Sequence, residues 1–292
     1  MGGVVLALLA CLPALKSSGA DLPFTLACAT ALAHGLLGAV DDVVDFGART
    51  KLLVQLAMAI GFAAIVHPAR IPISGALALD LPWPFAVAGV ALWLIVTINA
   101  VNFMDGSNGL IAGCLAIVLG GLGLRALGSD GGASLALLAG AGACLGFLPW
   151  NYPKARLFQG DAGALFLGAL VSTLAVVAAG GGRPDAPLNL LTTPIAIIPL
   201  LTDVLLTLIV RLRRGDKLSE AHRDHLYQRW LTAHGGDHAA LARRLWLIMG
   251  GYTLLAVSVA KSDPALAWAA LACGVGAAVT GWLWIDRRIR AR

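Results

Sequence analysis

From residue 22 to residue 285 the chain is a succession of long apolar runs carrying few charges, and no other feature restricts its possible folds so severely. The runs cover residues 22–40, 52–66, 84–103, 107–127, 132–150, 161–180, 188–210, 245–260 and 265–285. Inside a bilayer only helices and closed barrels satisfy their own backbone, and a helix needs about 20 apolar residues to cross. With a further run at residues 2–15, the pattern predicts an all-α integral membrane protein of about ten transmembrane helices, a single domain over residues 1–292. The run at 2–15 has no basic residue ahead of it, so it lacks the head of a signal peptide, and it is short for a span.

Composition agrees: 59% of the residues are hydrophobic and 13% charged, far too apolar for a soluble domain of this length. Glycine, at 35 residues, suits helices that must approach closely without a hydrophobic force between them. The net charge of +5 raises nucleic acid as a partner, but the basic residues gather in a few loops, which reads as topology instead. The five cysteines all lie inside apolar runs without metal-type spacing and read as small core residues.

Sixteen of the 21 Lys and Arg fall on one side of the predicted spans. They are Arg49, Lys51, Lys154, Arg156, the group from Arg211 to Arg244, and Arg287, Arg288, Arg290 and Arg292. That side is predicted to be cytoplasmic, with both termini on it. Asp41, Asp42, Asp45, Asp105 and Asp161, and the histidines after Arg211, reach the same face, which argues for one cytoplasmic site. The outer segment 67–83, with three prolines and alternating apolar residues, reads as a structural loop on the bilayer surface.

Residues 99–113, NAVNFMDGSNGLIAG, hold Asn99, Asn102, Asp105 and Asn108 at spacings of three. On an unbroken helix each such step falls about 60° short of a full turn, so the four would fan around half the circumference. Gly106 and Gly109 allow a break that gathers them. DDVVD places Asp41 and Asp45 at i, i+4, and three carboxylates so close need a cation or a basic partner such as Arg49 or Lys51; a solvated acidic cap is the plain alternative. In GDAG, Asp161 suits an N-cap, and the same helix start also suits a phosphate or a metal-bound carboxylate. Asp203 lies roughly 12 Å into the membrane from Arg211 and needs a partner on another helix. The one long loop, 211–244, carries His222, Arg223 and His225, which suit phosphate contact better than zinc, with a solvated basic loop equally open. His34 reads as a hydrogen-bonded packing residue.

Taken together, DDVVDFGARTK (41–51), NAVNFMDGSNGLIAG (99–113), GDAG (160–163), PLLTD (199–203) and HRDHLYQR (222–229) resemble, in order, the blocks of the polyprenyl-phosphate N-acetylhexosamine-1-phosphate transferases. The HRDHLYQ block is more similar to the O-antigen initiating branch than to the muramoyl-pentapeptide branch. The resemblance implies magnesium-dependent transfer, with manganese as a substitute, of a sugar-1-phosphate from a UDP-N-acetylhexosamine to undecaprenyl phosphate, releasing UMP. It implies that Asp161 and Asn102 bind the metal, that Asp105 and Asn108 face the uridine, and that Lys51 meets a phosphate; Asn99 either joins the substrate-binding residues or only braces the break by hydrogen-bonding freed backbone groups. It further implies that Asp41 and Asp42 serve the lipid phosphate, that the His222 to His225 loop closes over the donor, and that the chain sits in the inner membrane; homodimers occur in the family, and the oligomeric state stays open. Family members usually carry one more helix and a basic loop ahead of the position of Gly2, which this sequence is expected to lack. Two other classes fit less well: an intramembrane prenyltransferase would carry a second Asp-rich motif, and a secondary transporter would place its polar groups at mid-membrane.

Overall fold

The computed structural model describes residues 21–128, 131–180, 186–217 and 222–291, together with Gly3. The run at 2–15, and with it Cys11, lies outside the described residues apart from that glycine. In chain order the elements are α1 (Leu22–Val44), α2 (Ala48–Ile65), β1 (Arg70–Ser74), β2 (Leu77–Asp80), α3 (Trp83–Met104), α4 (Leu110–Ala126), α5 (Gly131–Asn151) and α6 (Gly160–Ala178). They continue with α7 (Thr192–Ala196), α8 (Ile198–Arg214), α9 (Leu226–Ala233), α10 (His238–Ser258) and α11 (Pro264–Arg290).

Among the described residues, seven helices, α1, α2, α3, α5, α6, α10 and α11, are long and apolar enough to cross a membrane, and α4 is a shorter apolar helix of 17 residues. The run at 188–210 is not one helix. It divides at Ile197 into α7 and α8, because Pro199 occupies the first turn of α8 and has no N–H to continue the preceding hydrogen-bond ladder.

The bundle is built around α6, which is apolar on every side and buried from Ala162 to Thr173. Helix α1 crosses it at Gly35 and Gly38: a Cβ on Gly35 would press on Phe166, and one on Gly38 would fall on the backbone of Asp161. This close approach ties the end of α1 to the start of α6. Leu36, Leu53, Leu92, Leu145, Leu247 and Leu254 face outward, where lipid tails would meet them. His34 is fully buried and bonds through Nδ1 to the Thr30 carbonyl at 2.8 Å, as the sequence suggested. Cys28, Cys114 and Cys144 are buried, but Cys273 is exposed on α11, so the expectation that every cysteine is a core residue fails there.

Residues 67–83 do more than rest as a loop. Strands β1 and β2 form an antiparallel hairpin closed by an Arg70–Asp80 ion pair at 2.7 Å. It docks on the start of α11, where Asp263 accepts from Gly75 N at 2.8 Å and Trp268 Nε1 donates to the Pro72 carbonyl at 2.9 Å. Since α2 runs from the acidic turn at Asp45 to this hairpin, the two lie at opposite ends of the bundle. The described residues after Arg211 also form more helix than expected. Helix α8 runs on to Arg214, α9 follows the histidines, and α10 begins at His238, where Asp237 caps it by accepting from Ala240 N at 2.8 Å.

Candidate active site

The acids of α1 and α6 meet around one lysine. Lys51 Nζ, from the first turn of α2, donates to Asp41 Oδ2 at 2.7 Å and to Asp161 Oδ2 at 2.6 Å. Two carboxylates from different helices would repel each other at this separation, and the ammonium between them makes the approach favourable. Arg49, the other basic residue proposed from the sequence, makes no such contact among the described residues. Asp41 also accepts from Phe46 N at 2.9 Å, which closes the turn that leads into α2.

Two local expectations are corrected here. Helix α1 ends at Val44 and Asp45 adopts a left-handed conformation at φ 54°, so Asp41 and Asp45 do not form an i, i+4 pair on a continuing helix. Asp161 is not the N-cap of α6: that position is Gln159, whose side chain makes no cap, and Asp161 lies in the first turn. The carboxylate that caps the helix comes from α1, where Asp42 accepts from Asp161 N at 3.2 Å and from Ala162 N at 3.5 Å.

The polar stretch breaks where its glycines allow. Helix α3 stops at Met104, Asp105 caps it, and α4 restarts after Gly109, whose φ of 69° favours glycine. Gly109 N is held by Asn151 Oδ1 at 2.5 Å, while Asn151 Nδ2 donates to the Leu157 carbonyl at 2.8 Å, so Asn151 pins the break to the loop before α6. Asn108 Nδ2 reaches the Pro153 carbonyl in that loop at 3.3 Å. Asp105 is packed towards Gln159 and Asp161; burial pushes its carboxyl up to about 8, opposed by the Gln159 side chain and reinforced by the negative Asp161. Asn102 is half-buried in the last turn of α3. Asn99 is turned to another task, donating to Gln55 Oε1 of α2 and to the Ile95 carbonyl, both at 2.8 Å.

The histidine segment closes against this break. The His222 and His225 rings pack at a tilt of 35° with centroids 4.9 Å apart, and the His225 ring centroid lies 5.9 Å from that of Phe103. Burial holds the His225 imidazole below its ordinary range, against the pull of the Asp203 and Asp224 carboxylates. Arg223 is exposed. Asp203 finds its partner at the start of α9: its carboxylate accepts from Leu226 N at 2.7 Å, Tyr227 N at 3.1 Å and Trp282 Nε1 at 3.2 Å. Arg229 turns away from the acids and pairs with Asp286 of α11. Tyr227 completes the junction by donating from its hydroxyl to the Phe103 carbonyl at 3.0 Å.

Gly106 provides the space for that tyrosine, since a Cβ there would fall on the Tyr227 hydroxyl. Gly106→Ala is therefore expected to lift α9 from the site. Melting of the purified protein should rank wild type above Tyr227→Phe, which loses about 1 kcal/mol with its hydrogen bond, and Tyr227→Phe above Gly106→Ala. Equal midpoints would show that the tyrosine does not hold the loop.

The structure thus joins Asp41, Asp42, Lys51 and Asp161 directly and places Asp105, Asn108 and the His222 to His225 segment around the adjoining break. Asn151, Gln159 and Gln55 were not singled out from the sequence. Each is one amide among apolar neighbours or beside a glycine, and only their position next to GDAG or at a helix end would have marked them.

Fold and site together define a multi-pass membrane protein with a charged cluster where three helices meet at one end of the bundle. Comparison with known proteins carries this further. The family described as glycosyl transferase family 4 matches residues 24–179, and the chain belongs to it. It is 37% identical over 190 residues to a phospho-N-acetylmuramoyl-pentapeptide-transferase of Synechococcus sp. (strain JA-3-3Ab), covering 61% of this chain and 55% of that protein. It is 32% identical over 250 residues to a decaprenyl-phosphate N-acetylglucosaminephosphotransferase of Mycolicibacterium smegmatis, covering 75% of this chain and 60% of that protein. A probable undecaprenyl-phosphate N-acetylglucosaminyl 1-phosphate transferase of Bacillus subtilis is 31% identical over 220 residues, covering 73% and 59%. The chain spans less than two thirds of the length of these relatives.

Proposed function

We propose that this protein transfers an N-acetylhexosamine-1-phosphate from a UDP-sugar to undecaprenyl phosphate, releasing UMP, at the cytoplasmic face of the bacterial inner membrane. The observation that carries the reading is the Asp41–Lys51–Asp161 bridge beside the broken polar stretch, where family residues from three helices converge. A lipid phosphate oxygen attacks the β-phosphorus of the donor. As the new P–O bond forms, the bond between the β-phosphorus and the bridging oxygen breaks, and that oxygen leaves with the electron pair as part of UMP.

Three phosphate groups come together in that step, so the chief task is to place positive charge and exclude repulsion. A phosphate monoester is already largely dianionic near neutral pH, with a second pKa of about 6, so Asp41 need not act as a base. In this reading Lys51, held between Asp41 and Asp161, would meet a phosphate, and Arg223 is exposed in the histidine segment. Asp105 and Asn108, on the break, would face the uridine.

The donor set fits magnesium, with manganese as a substitute: Asp161 offers a carboxylate and Asn102 an amide oxygen. Among the described residues no group of three or more His, Cys, Asp or Glu could hold a metal, but magnesium commonly takes one or two carboxylates and fills its shell with water and substrate phosphate. When bound it would supply charge neutralisation at the diphosphate.

The HRDHLYQ block favours O-antigen or related lipopolysaccharide synthesis, and an N-acetylglucosamine-type donor is favoured by relatives aligned over 75% and 73% of the chain, whose names carry N-acetylglucosamine. The test is mass analysis of lipid products after incubating membranes containing the protein with undecaprenyl phosphate, magnesium and a panel of UDP-sugars. A sugar-diphospholipid with matching UMP is expected. No UMP from any common UDP-sugar would overturn the reading.

A further inference from the structure

We infer that Asp42 is a positioning residue: it holds the start of α6 so that Asp161 presents its carboxylate to the reacting phosphates, and it does so as a hydrogen-bond acceptor from another helix, without touching substrate. This rests on the proposed transferase reading.

Three independent features fix Asp42 in this place. First, the first N–H groups of any helix have no partner inside it, and α6 has no side-chain cap of its own at Gln159. Asp42 supplies the missing acceptor, taking the N–H of Asp161 itself at 3.2 Å and that of Ala162 at 3.5 Å. Second, Gly160 leaves room for it. A Cβ at Gly160 would lie 2.6 Å from Asp42 Oδ2, and the φ of 65° there disfavours any side chain. Third, one turn earlier on α1, Gly38 packs directly on the Asp161 peptide, so the same helix grips that residue at two points.

The neighbouring acid behaves differently. Asp41 is the one that pairs with Lys51 and so faces the charged cluster, whereas Asp42 is spent on the backbone of α6. The two adjacent aspartates thus divide the work: one sets the lysine, the other sets the helix that bears Asp161. A negative charge at a helix N-terminus also opposes the positive end of the dipole, which strengthens the cap.

Asparagine caps helices about as well as aspartate, whereas alanine cannot, so neutral and truncated variants separate capping from charge. Asp42→Asn is expected to keep UMP release within about tenfold of wild type, a loss the missing charge–dipole attraction can explain. Asp42→Ala should fall by about 100-fold or more, in line with losing the placement of a reacting group. The magnesium concentration giving half-maximal rate should rise in Asp42→Ala and return towards the wild-type value in Asp42→Asn, which a general loss of fold would not produce. Melting of the purified proteins adds an arm independent of turnover: Asp42→Ala should melt below wild type and Asp42→Asn close to it.

Asp42→Asn as inactive as Asp42→Ala, with an unmoved magnesium requirement, would assign the charge of Asp42 to substrate and overturn the inference. So would an unchanged melting point in Asp42→Ala. If wild type released no UMP, the transferase reading would fail, while the melting series would still decide whether Asp42 caps α6.

Discussion

Asp161→Asn is expected to reduce UMP release by about 1,000-fold, the largest effect of any single substitution in this protein. The change is nearly isosteric, so Lys51 can still donate to the side-chain oxygen of residue 161 and to Asp41. What disappears is the negative charge at the head of α6. That charge is needed if residue 161 is to hold a divalent cation against a diphosphate, because a neutral amide oxygen competes poorly for a hard cation. The backbone N–H of residue 161 remains bonded to Asp42, so the helix start should not move. Initial rates at saturating lipid phosphate and UDP-sugar, across a magnesium series, measure the loss. Melting within a few degrees of wild type would confirm that chemistry and not folding was removed. A rate within threefold of wild type would remove Asp161 from the centre of the reaction.

Much of this arrangement was legible because the bilayer makes sequence unusually explicit. The apolar runs mapped onto helices since nothing else satisfies a backbone in hydrocarbon, and the acids stood out against them because charge is costly there. The glycine break at residues 105–109 followed from the same logic. What stayed hidden was which partner each acid takes. Asp42 and Asp161 are 119 residues apart, and no local pattern says that one will cap the helix bearing the other. Asp203 was expected to need a partner on another helix, and it found the N–H groups at the start of α9, a helix too short to stand out by periodicity. Asn99 reads from spacing as a member of the polar cluster, yet its amide braces α3 against Gln55 of α2. The hairpin at 70–80 alternated visibly, but its prolines pointed to a loop; docking on Asp263 and Trp268 of a distant helix is what stabilises the strands.

Lys51→Met should be nearly as damaging as Asp161→Asn, and by two separable routes. The first is structural. Asp41 is largely shielded and Asp161 partly so, and without the ammonium two carboxylates drawn together by α1 and α6 lose their common counter-ion. Removing one partner from a buried ionic cluster costs about 3–5 kcal/mol, but partial exposure of Lys51 and Asp161 screens this, so about 2 kcal/mol is the reasonable expectation. The second route is chemical, since the cation that would meet a substrate phosphate is gone, and a loss of about 100-fold in UMP release follows. Combining the substitution with Asp41→Asn tells the two apart. Neutralising residue 41 removes the repulsion that Lys51→Met exposes, so the double variant should recover most of the lost melting temperature. Contacting residues are not expected to behave additively, and the recovery measures their coupling. UMP release should not recover with it, because neither methionine nor asparagine restores a positive charge. Recovery of both stability and turnover would mean that Lys51 serves only to hold the two acids together, and a phosphate would then have to be met by another cation such as Arg223.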